Sequence, residues 1–507
     1  SEREAYRNGY RNTTNPNAAT VGRVQPGRTT LTDGRYDPSV PFNSGNSDGI
    51  PNGVLIRDRR IWNSPPGGYI YPIPGVTVAG TDNLVPRGFG PGADRYLAFN
   101  PAGELVPYNP GSIFSLVDAS GGDGLNLTDQ GQITSDLERM NFFTMARFAV
   151  TDRVDAFFEG SFYSADATEL TDQSAYNSPL FGTASGALRI SANHPLLTDQ
   201  ARDVLASNGV TAFNLSRASR DLVENNASTS TEIGRAVFGL EGTFDFADRM
   251  FYWEASANHG RSQASFHGTS LLQQHFINAL NVTRSADGAL QCNASAGNAI
   301  YASATQNRVP GSFAIVDPGC VPLDIFGEGR PSEAARRYVT ARTSSQSLLE
   351  QSVFNANVSS TLLETWGGPL QYNLGYEHRR ESALFAPDPV LQATPQRTRS
   401  VSITPTRGQF STDEFFGEVL VPLINPDSEL VLLKKLDLTG KYRQVDNTVN
   451  GKFDTYTYGL QWKPISDLEV RGNFTRSLRA PATTELFTPP ASIFTSVADS
   501  CDTRNVS

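Results

Sequence analysis

The chain has 507 residues, and Lys+Arg 42 against Asp+Glu 52 gives a formal net charge of -10. Only 19% of residues are charged, below the roughly 25% of ordinary soluble domains, and no apolar run approaches the roughly 18 residues of a membrane-spanning helix. An acidic balance without a basic block argues against nucleic acid as a partner, while 10% aromatics, 44 Gly and 31 Pro suggest strands and turns. Cys292, Cys320 and Cys501 are too few for a disulfide scaffold, and their spacings fit no zinc pattern. The chain opens at Ser1 without a signal peptide and stops at Ser507 inside a polar stretch, so an internal piece of a longer protein is expected.

Residues 1–140 are dense in Gly, Pro, Asn and Tyr without a sustained period. That composition predicts an irregular, surface-exposed region of early barrel or extracellular loop. From residue 141 to 507 the pattern changes. Segments of about ten residues alternate apolar and polar, as strands with two different faces do. In chain order they are 141–150, 155–163, 232–244, 251–260, 347–360, 370–379, 412–423, 436–443, 455–462 and 468–475. Phe158 and Phe162 oppose Glu159 and Ser161; Leu240 opposes Thr243; Trp253 opposes Glu254; Leu374 opposes Asn373 and Glu377. Between the segments lie about 3, 68, 6, 86, 9, 32, 12, 11 and 5 residues. Short and long connections alternate, with one ambiguous pair near 430–450. Inside the long ones, 195–208 reads as a helix capped by Thr198 or Asp199 and stopped by Gly209. A second helix is expected over 331–342, capped by Ser332.

Structureless loops beyond about 15 residues are uncommon in compact soluble domains. An outer-membrane barrel pairs short inner turns with long outer loops, and lipid outside with water inside requires two unlike faces. The pattern therefore favours an all-β, antiparallel up-and-down transmembrane barrel, incomplete at about ten strands, with short helices in its extracellular loops. A soluble β-sandwich or β-helix with insertions is the alternative. On the barrel reading Arg235, Glu254, Glu377, Arg443 and Arg471 face the lumen, either setting its field for a solute or simply solvated and paired. Trp62, Tyr69, Tyr71 and Phe89 could stack on a sugar or an aromatic chelator, or pack within their own loop.

Four segments carry a family likeness. They are Phe99–Tyr108, Leu137–Phe143, the run Cys320-Val321-Pro322-Leu323-Asp324-Ile325-Phe326-Gly327, and Arg479-Ala480-Pro481 followed by Glu485-Leu486-Phe487. In this order they resemble the barrel portion of TonB-dependent outer-membrane receptors of Gram-negative bacteria. The resemblance implies a barrel of about 22 strands around an N-terminal plug, neither of which this chain contains in full. It implies location in the outer membrane and TonB-driven import of a scarce solute: siderophore–iron, cobalamin, an oligosaccharide or a peptide. Contacts with the TonB complex would come through missing parts of the parent protein, and no cofactor or catalytic residue is implied. A secreted or surface β-rich adhesin or carbohydrate-binding module is the competing class; it would leave some strand faces polar on both sides.

Three weaker motifs remain. His259, His267 and His275 are spaced by eight, but a strand ending near Gly260 would separate them, so no metal site is expected. Gly121-Gly122-Asp123-Gly124-Leu125-Asn126 resembles a single calcium-binding repeat, which cannot stack alone and reads as a turn. Cys292 and Cys320 share one long connection, extracellular on this topology, so a disulfide between them is expected, with a partner for Cys501 beyond Ser507.

Overall fold

A computed structural model describes residues 2–3, 6–7, 19–23, 53–71, 96–113, 118–126, 132–170, 175–176, 188–223, 226–293, 317–392, 398, 402–425 and 429–490. Phe89 and Cys501 lie outside them.

The alternating segments form ten long antiparallel strands: β1 (Asp136–Thr151), β2 (Val154–Leu170), β3 (Asn226–Phe246), β4 (Arg249–Leu271), β5 (Thr340–Thr365), β6 (Gly368–Ala386), β7 (Thr406–Ile424), β8 (Lys435–Asn447), β9 (Gly451–Ile465) and β10 (Leu468–Arg476). Each pairs with its neighbour in sequence, and β1 and β10 do not pair with each other. Four inner connections are tight: 152–153, 247–248, 366–367 and 466–467. At 247–248 both Ala247 (φ 53°) and Asp248 (φ 57°) are left-handed, the turn whose twist matches a two-residue hairpin. The ambiguous pair is resolved. β7 ends at Ile424 and β8 begins at Lys435 on the inner side, and 448–450 make a short outer turn where the sequence left a connection of about 11 residues.

Strand pairing fixes the faces. Residues opposite each other in an antiparallel ladder project from the same side, so the register carries one face across the sheet. Ala156 pairs with Leu240, Leu240 with Ala255, Ala255 with Ala356, Ala356 with Tyr376 and Tyr376 with Phe415. Gly417 pairs with Tyr442, and Tyr442 with Tyr456. Around these positions the same face carries Phe142, Phe148, Phe158, Phe238, Phe354, Leu374, Val419, Leu438, Tyr458 and Phe474. All ten strands are apolar on that side over about the ten residues a tilted strand needs to cross a bilayer. Phe238 is 56% exposed, Leu374 54% and Tyr458 58%. A surface this apolar suits lipid and would aggregate in water. The opposite face carries Glu159, Arg235, Glu241, Glu377, Glu414, Lys441 and Arg443. β1 departs from the rule: Phe143 and Met145 project from its polar side and are exposed.

The strands outrun the expected segments. β4 has 23 residues and β5 has 26, so at about 3.3 Å per residue they reach well past a hydrocarbon core of about 30 Å. The long connections shorten accordingly to 171–225 and 272–339, and β4 continues to Leu271 rather than leaving the sheet near Gly260. His259 and His267 therefore do share a face. They stand about 26 Å apart along the strand, beyond any common ligand sphere.

Beyond the strand ends the outer loops fold together, and the region read as irregular supplies much of that body. Tyr69–Tyr71 pairs with Ala212–Ala218 and with Leu97–Phe99, while Leu188–Ser191 pairs with the far side of Ala212–Ala218. Three helices pack here: α1 (Asp199–Ser207), α2 (Gln273–Leu280) and α3 (Glu333–Val339). Thr198 caps α1 by accepting from Ala201 N–H, Gly209 follows at φ 66°, and Ser332 caps α3 by accepting from Ala335 N–H. Both helices are shorter than their sequence patterns, and α3 ends where β5 begins. Phe99, Leu105, Leu205, Phe213, Phe276, Leu323, Ile325 and Phe326 share one core. Two of the four family-like segments, Phe99–Tyr108 and Cys320–Gly327, thus meet inside this cap. Cys292 and Cys320 are disulfide-bonded across it, with Cα atoms 6.1 Å apart.

His194 should make the cap pH-sensitive. It is 6% exposed, its Nε2 donates to the Leu280 carbonyl at 2.9 Å, and its Nδ1 accepts from Leu196 N–H at 3.3 Å. Burial pushes its pKa below the ordinary value, against the pull of that carbonyl and of Asp324. The unfolded cap then takes up a proton that the folded cap refuses. Its stability should be full above about pH 6.5 and fall as pH drops through the lowered folded value. Amide exchange in segments 194–197 and 276–281 should quicken between pH 7 and 5 after correction for intrinsic rates, and His194→Gln should abolish that difference. Unchanged protection would contradict the assignment.

Candidate functional site: the lumen wall beneath an Arg-Ala-Pro hook

The five lumen candidates all lie on the polar face, but they do not form one site. Arg235 donates to Asn258 at 3.2 Å and stands 3.7 Å from Glu159. Glu254 is in register with Glu241, which is ion-paired to Arg147. Arg471 pairs with Glu469 near the inner turn. Glu377 and Arg443 belong together. They flank Glu414, which is in register with Glu377 and accepts from Arg443 at 2.7 Å.

Around that trio the upper halves of β6 to β8 present a dense charge ladder. Arg379 donates to Glu377 at 2.6 Å and lies 3.8 Å from Glu381; Lys441 meets Glu418 at 3.0 Å. Glu377 and Glu414 are only 9% and 7% exposed, and the second also accepts from Thr412 Oγ1 at 3.1 Å. The Arg443 guanidinium sits 4.8 Å from the Phe416 ring centroid, and that ring lies over Gly375, where a Cβ would fall 2.2 Å from it. Aromatic, guanidinium and bare backbone thus form a stack that fixes Arg443.

After β10 the chain turns back over this wall. Residues 477–482 and the short helix α4 (Thr483–Phe487) cover Phe410 and Val445, and the Phe487 ring occupies the place of a Cβ on Gly408. Arg479 donates to Glu485 at 2.8 Å, and the other oxygen of Glu485 accepts from Ala482 N–H at 2.7 Å. Those two bonds, the Arg479 one first, hold the Glu485 carboxyl below its usual range. Hook and wall flank a half-open cavity of about 540 Å³ lined by Arg379, Glu381, Glu414, Phe416, Arg443, Phe453, Arg479 and Pro481. Its chemistry is mixed in charge and rich in hydrogen bonding. That suits a polar solute better than an apolar one.

Sequence reasoning singled out Glu377, Arg443, Arg479, Ala480, Pro481 and Glu485, but not Glu414, Arg379 or Phe416. The alternation Thr412, Glu414, Phe416, Glu418 was the available signal. Trp62 (0% exposed), Tyr69 (0%) and Tyr71 (4%) are buried with Tyr96 and Tyr108 in an aromatic cluster. Tyr69 stacks on Tyr71 at 5.8 Å, so these rings serve packing and offer no face to a solute. His275 stacks on Tyr338 instead of approaching His259 or His267, and no group of three ligating side chains occurs among the described residues. Gly121–Gly124 is a turn between Asp118–Ser120 and Leu125–Asn126.

The hook's anchor can be tested. Gly408→Val puts methyl groups where Phe487 lies and should release α4 without touching the charge ladder. Trypsin should then cut after Arg479 at least tenfold faster than in the wild type, with the sheet intact by circular dichroism. An unchanged cleavage rate would show that Phe487 does not hold the hook.

A sheet apolar outside, charged inside, and alternating inner turns with outer loops defines an outer-membrane β-barrel wall. Residues 198–500 match the family "TonB dependent receptor-like, beta-barrel", and the chain belongs to that family, whose barrels reside in the outer membrane of Gram-negative bacteria. Similar solved structures include the siderophore receptor PiuA from Acinetobacter baumannii, at 10% identity and TM-score 0.25, covering 68% of this chain and 47% of that one. Another is the ferric-catecholate import receptor Fiu from E. coli K12 in its open form, at 10% identity and TM-score 0.28, covering 70% of this chain and 48% of that one. The chain spans about half the length of these structures. No curated protein matches it.

Proposed function

We propose that the chain forms the wall and outer cap of an active importer that takes up a scarce polar solute by TonB-coupled transport. The carrying observation is the pairing of an apolar outer face on all ten strands with a charged inner face under an outer cap. An adhesin has no need of the second. On this reading solute entering from outside meets the cavity beneath the hook, where Arg379, Arg443 and Arg479 offer donors while Glu381 and Glu414 offer acceptors. Siderophore–iron, cobalamin, oligosaccharide and peptide all remain within this class.

The test is uptake in cells with and without the gene, using a labelled member of each solute class, with the proton-motive force intact or collapsed. The reading expects one solute whose uptake needs both the gene and the force. Force-independent surface binding of a sugar, lost with the gene, would favour the adhesin. Replacing Arg443 with Gln should then weaken uptake of the identified solute at least fivefold at limiting concentration.

A further inference from the structure

The wall beneath the hook is crowded with charge yet close to neutral. Arg379 is bonded to Glu377, Lys441 to Glu418, Arg443 to Glu414 and Arg479 to Glu485. Glu381, 3.8 Å from Arg379, is a fifth carboxylate. Inward wall and hook thus set four cations against five carboxylates, a net charge of -1. Arg476 also borders the cavity, but its register with Tyr456 places it on the outward side, and counting it only brings the balance to zero. A solute with several negative charges finds no cationic surplus here, and a strongly cationic one finds a surplus of one carboxylate at most.

The pairing leaves hydrogen-bonding capacity of both kinds. Arg443 donates to Glu414 through Nη1 and Arg479 to Glu485 through Nη2, so each guanidinium keeps N–H groups without a partner among the described residues. Glu381 accepts from Gln351 Nε2 at 3.0 Å through one oxygen, and Glu418 meets Lys441 through one. The second oxygen of each carboxylate has no partner among the described residues. Thr455 and Ser477 add hydroxyls to the same cavity. The backbone of β6 to β9 is spent on strand pairing, so an extended peptide cannot add to it.

We infer that the solute taken by this cavity is a neutral oligosaccharide, an inference that rests on the importer reading above. A sugar hydroxyl donates and accepts at once, so neighbouring hydroxyls of one ring can bond a guanidinium and a carboxylate together through charge-assisted bonds. The C–H faces of the ring need apolar surface, which Phe453 and Pro481 supply. Phe416, seated on Gly375, holds Arg443 in one direction. Hydrogen-bond geometry rather than net charge then sets the specificity, and a site built to meet hydroxyls rejects solutes that lack them. Phe416 and Gly375 are on this view positioning residues, acting through Arg443.

Equilibrium dialysis of the full-length protein in mild detergent tests this with labelled malto-, cello- and xylo-oligosaccharides, beside oligogalacturonate, a ferric tris-catecholate and trialanine. At least one neutral series should bind, with affinity changing less than about twofold between low salt and about 1 M salt because no net charge is neutralised. Arg443→Gln and Glu381→Gln should each weaken that binding at least tenfold, since paired hydroxyls need both a donor and an acceptor. Gly375→Ala, whose Cβ would fall 2.2 Å from the Phe416 ring, leaves every charge in place and should weaken it as well. Heat-modifiable migration confirms that each variant is folded. Binding confined to the charged or peptide probes, no binding of any neutral series, or a loss with Arg443→Gln but not with Glu381→Gln would overturn the inference. Force-dependent uptake of a charged or peptide probe alone would also overturn it while leaving the importer standing. Sugar binding with no force-dependent uptake would instead uphold the sugar site and remove the importer.

Discussion

A lysine or arginine at Leu240 or Leu374 should destabilise the folded protein in bilayers by about 2–4 kcal/mol. Each lies six residues from its inner strand end, Phe246 or Gly368, which at about 3.3 Å per residue and a tilt near 40° places it about 15 Å up. That is close to the middle of the apolar band, where no water and no headgroup can be reached without distortion. The neighbouring lumen positions provide the control. Thr243 and Asn373 project inward, and Asn373 is in register with Glu418, so a lysine there gains a carboxylate within reach. Denaturant unfolding of the full-length protein in liposomes should separate the two sets clearly. Equal losses on both faces would mean that neither face meets lipid.

The second large effect concerns the cap. Cys292 and Cys320 close a 28-residue segment, and by chain entropy such a link is worth about 3–4 kcal/mol. Its placement matters as much as its length. Cys292 ends the hairpin of Val282–Arg284 with Leu290–Cys292, and Cys320 packs against the core formed by Leu323, Ile325 and Phe326. Cys292→Ser/Cys320→Ser should therefore loosen the cap while leaving the ten-strand sheet in place. Proteolysis of folded protein should become at least tenfold faster within 282–326, with unchanged cleavage at the 247–248 turn. Non-reducing peptide mapping should join Cys292 to Cys320 in the wild type. A link from either to Cys501 would contradict the pairing.

The sheet was legible because lipid imposes a strict rule on every strand. Phe238, Leu240 and Phe244 alternate with Val237, Gly239 and Thr243, and nothing but a two-faced wall repeats that contrast ten times. Strand length was less legible. Above the membrane both faces of β4 and β5 meet water or loop, so Ser262–His267 and Thr343–Ser347 lose the contrast while keeping their pairing. The 448–450 turn was obscured for a similar reason: Val445 and Phe453 face the hook, so the polar side of the hairpin looks apolar there.

The cap was missed because its core is assembled from distant pieces. Ile70, Leu105, Leu188, Phe213, Phe276 and Phe326 each sit in short strands, helices or coil with too little length to show a period. Gln200 shows how such pieces are joined, accepting from Leu105 N–H at 2.8 Å and donating to the Leu105 carbonyl at 3.0 Å. No local pattern announces a contact of that kind. Of the inner site, single charges such as Glu377 and Arg443 could be placed on a face. Their convergence on Glu414 depended on register across three strands, which alternation alone does not specify.

Site-directed spin labelling along β6 tests the central claim most directly. Labels placed singly at positions 370 to 380 of the full-length protein in liposomes report collisions with oxygen, which partitions into lipid, and with a polar nickel chelate, which does not. Even positions through 376 should favour oxygen and odd positions the nickel chelate, with the even-numbered signal reversing at 380 as the outward face leaves the hydrocarbon. A profile without two-residue alternation, or with oxygen favoured at 371, 373 and 375, would contradict it.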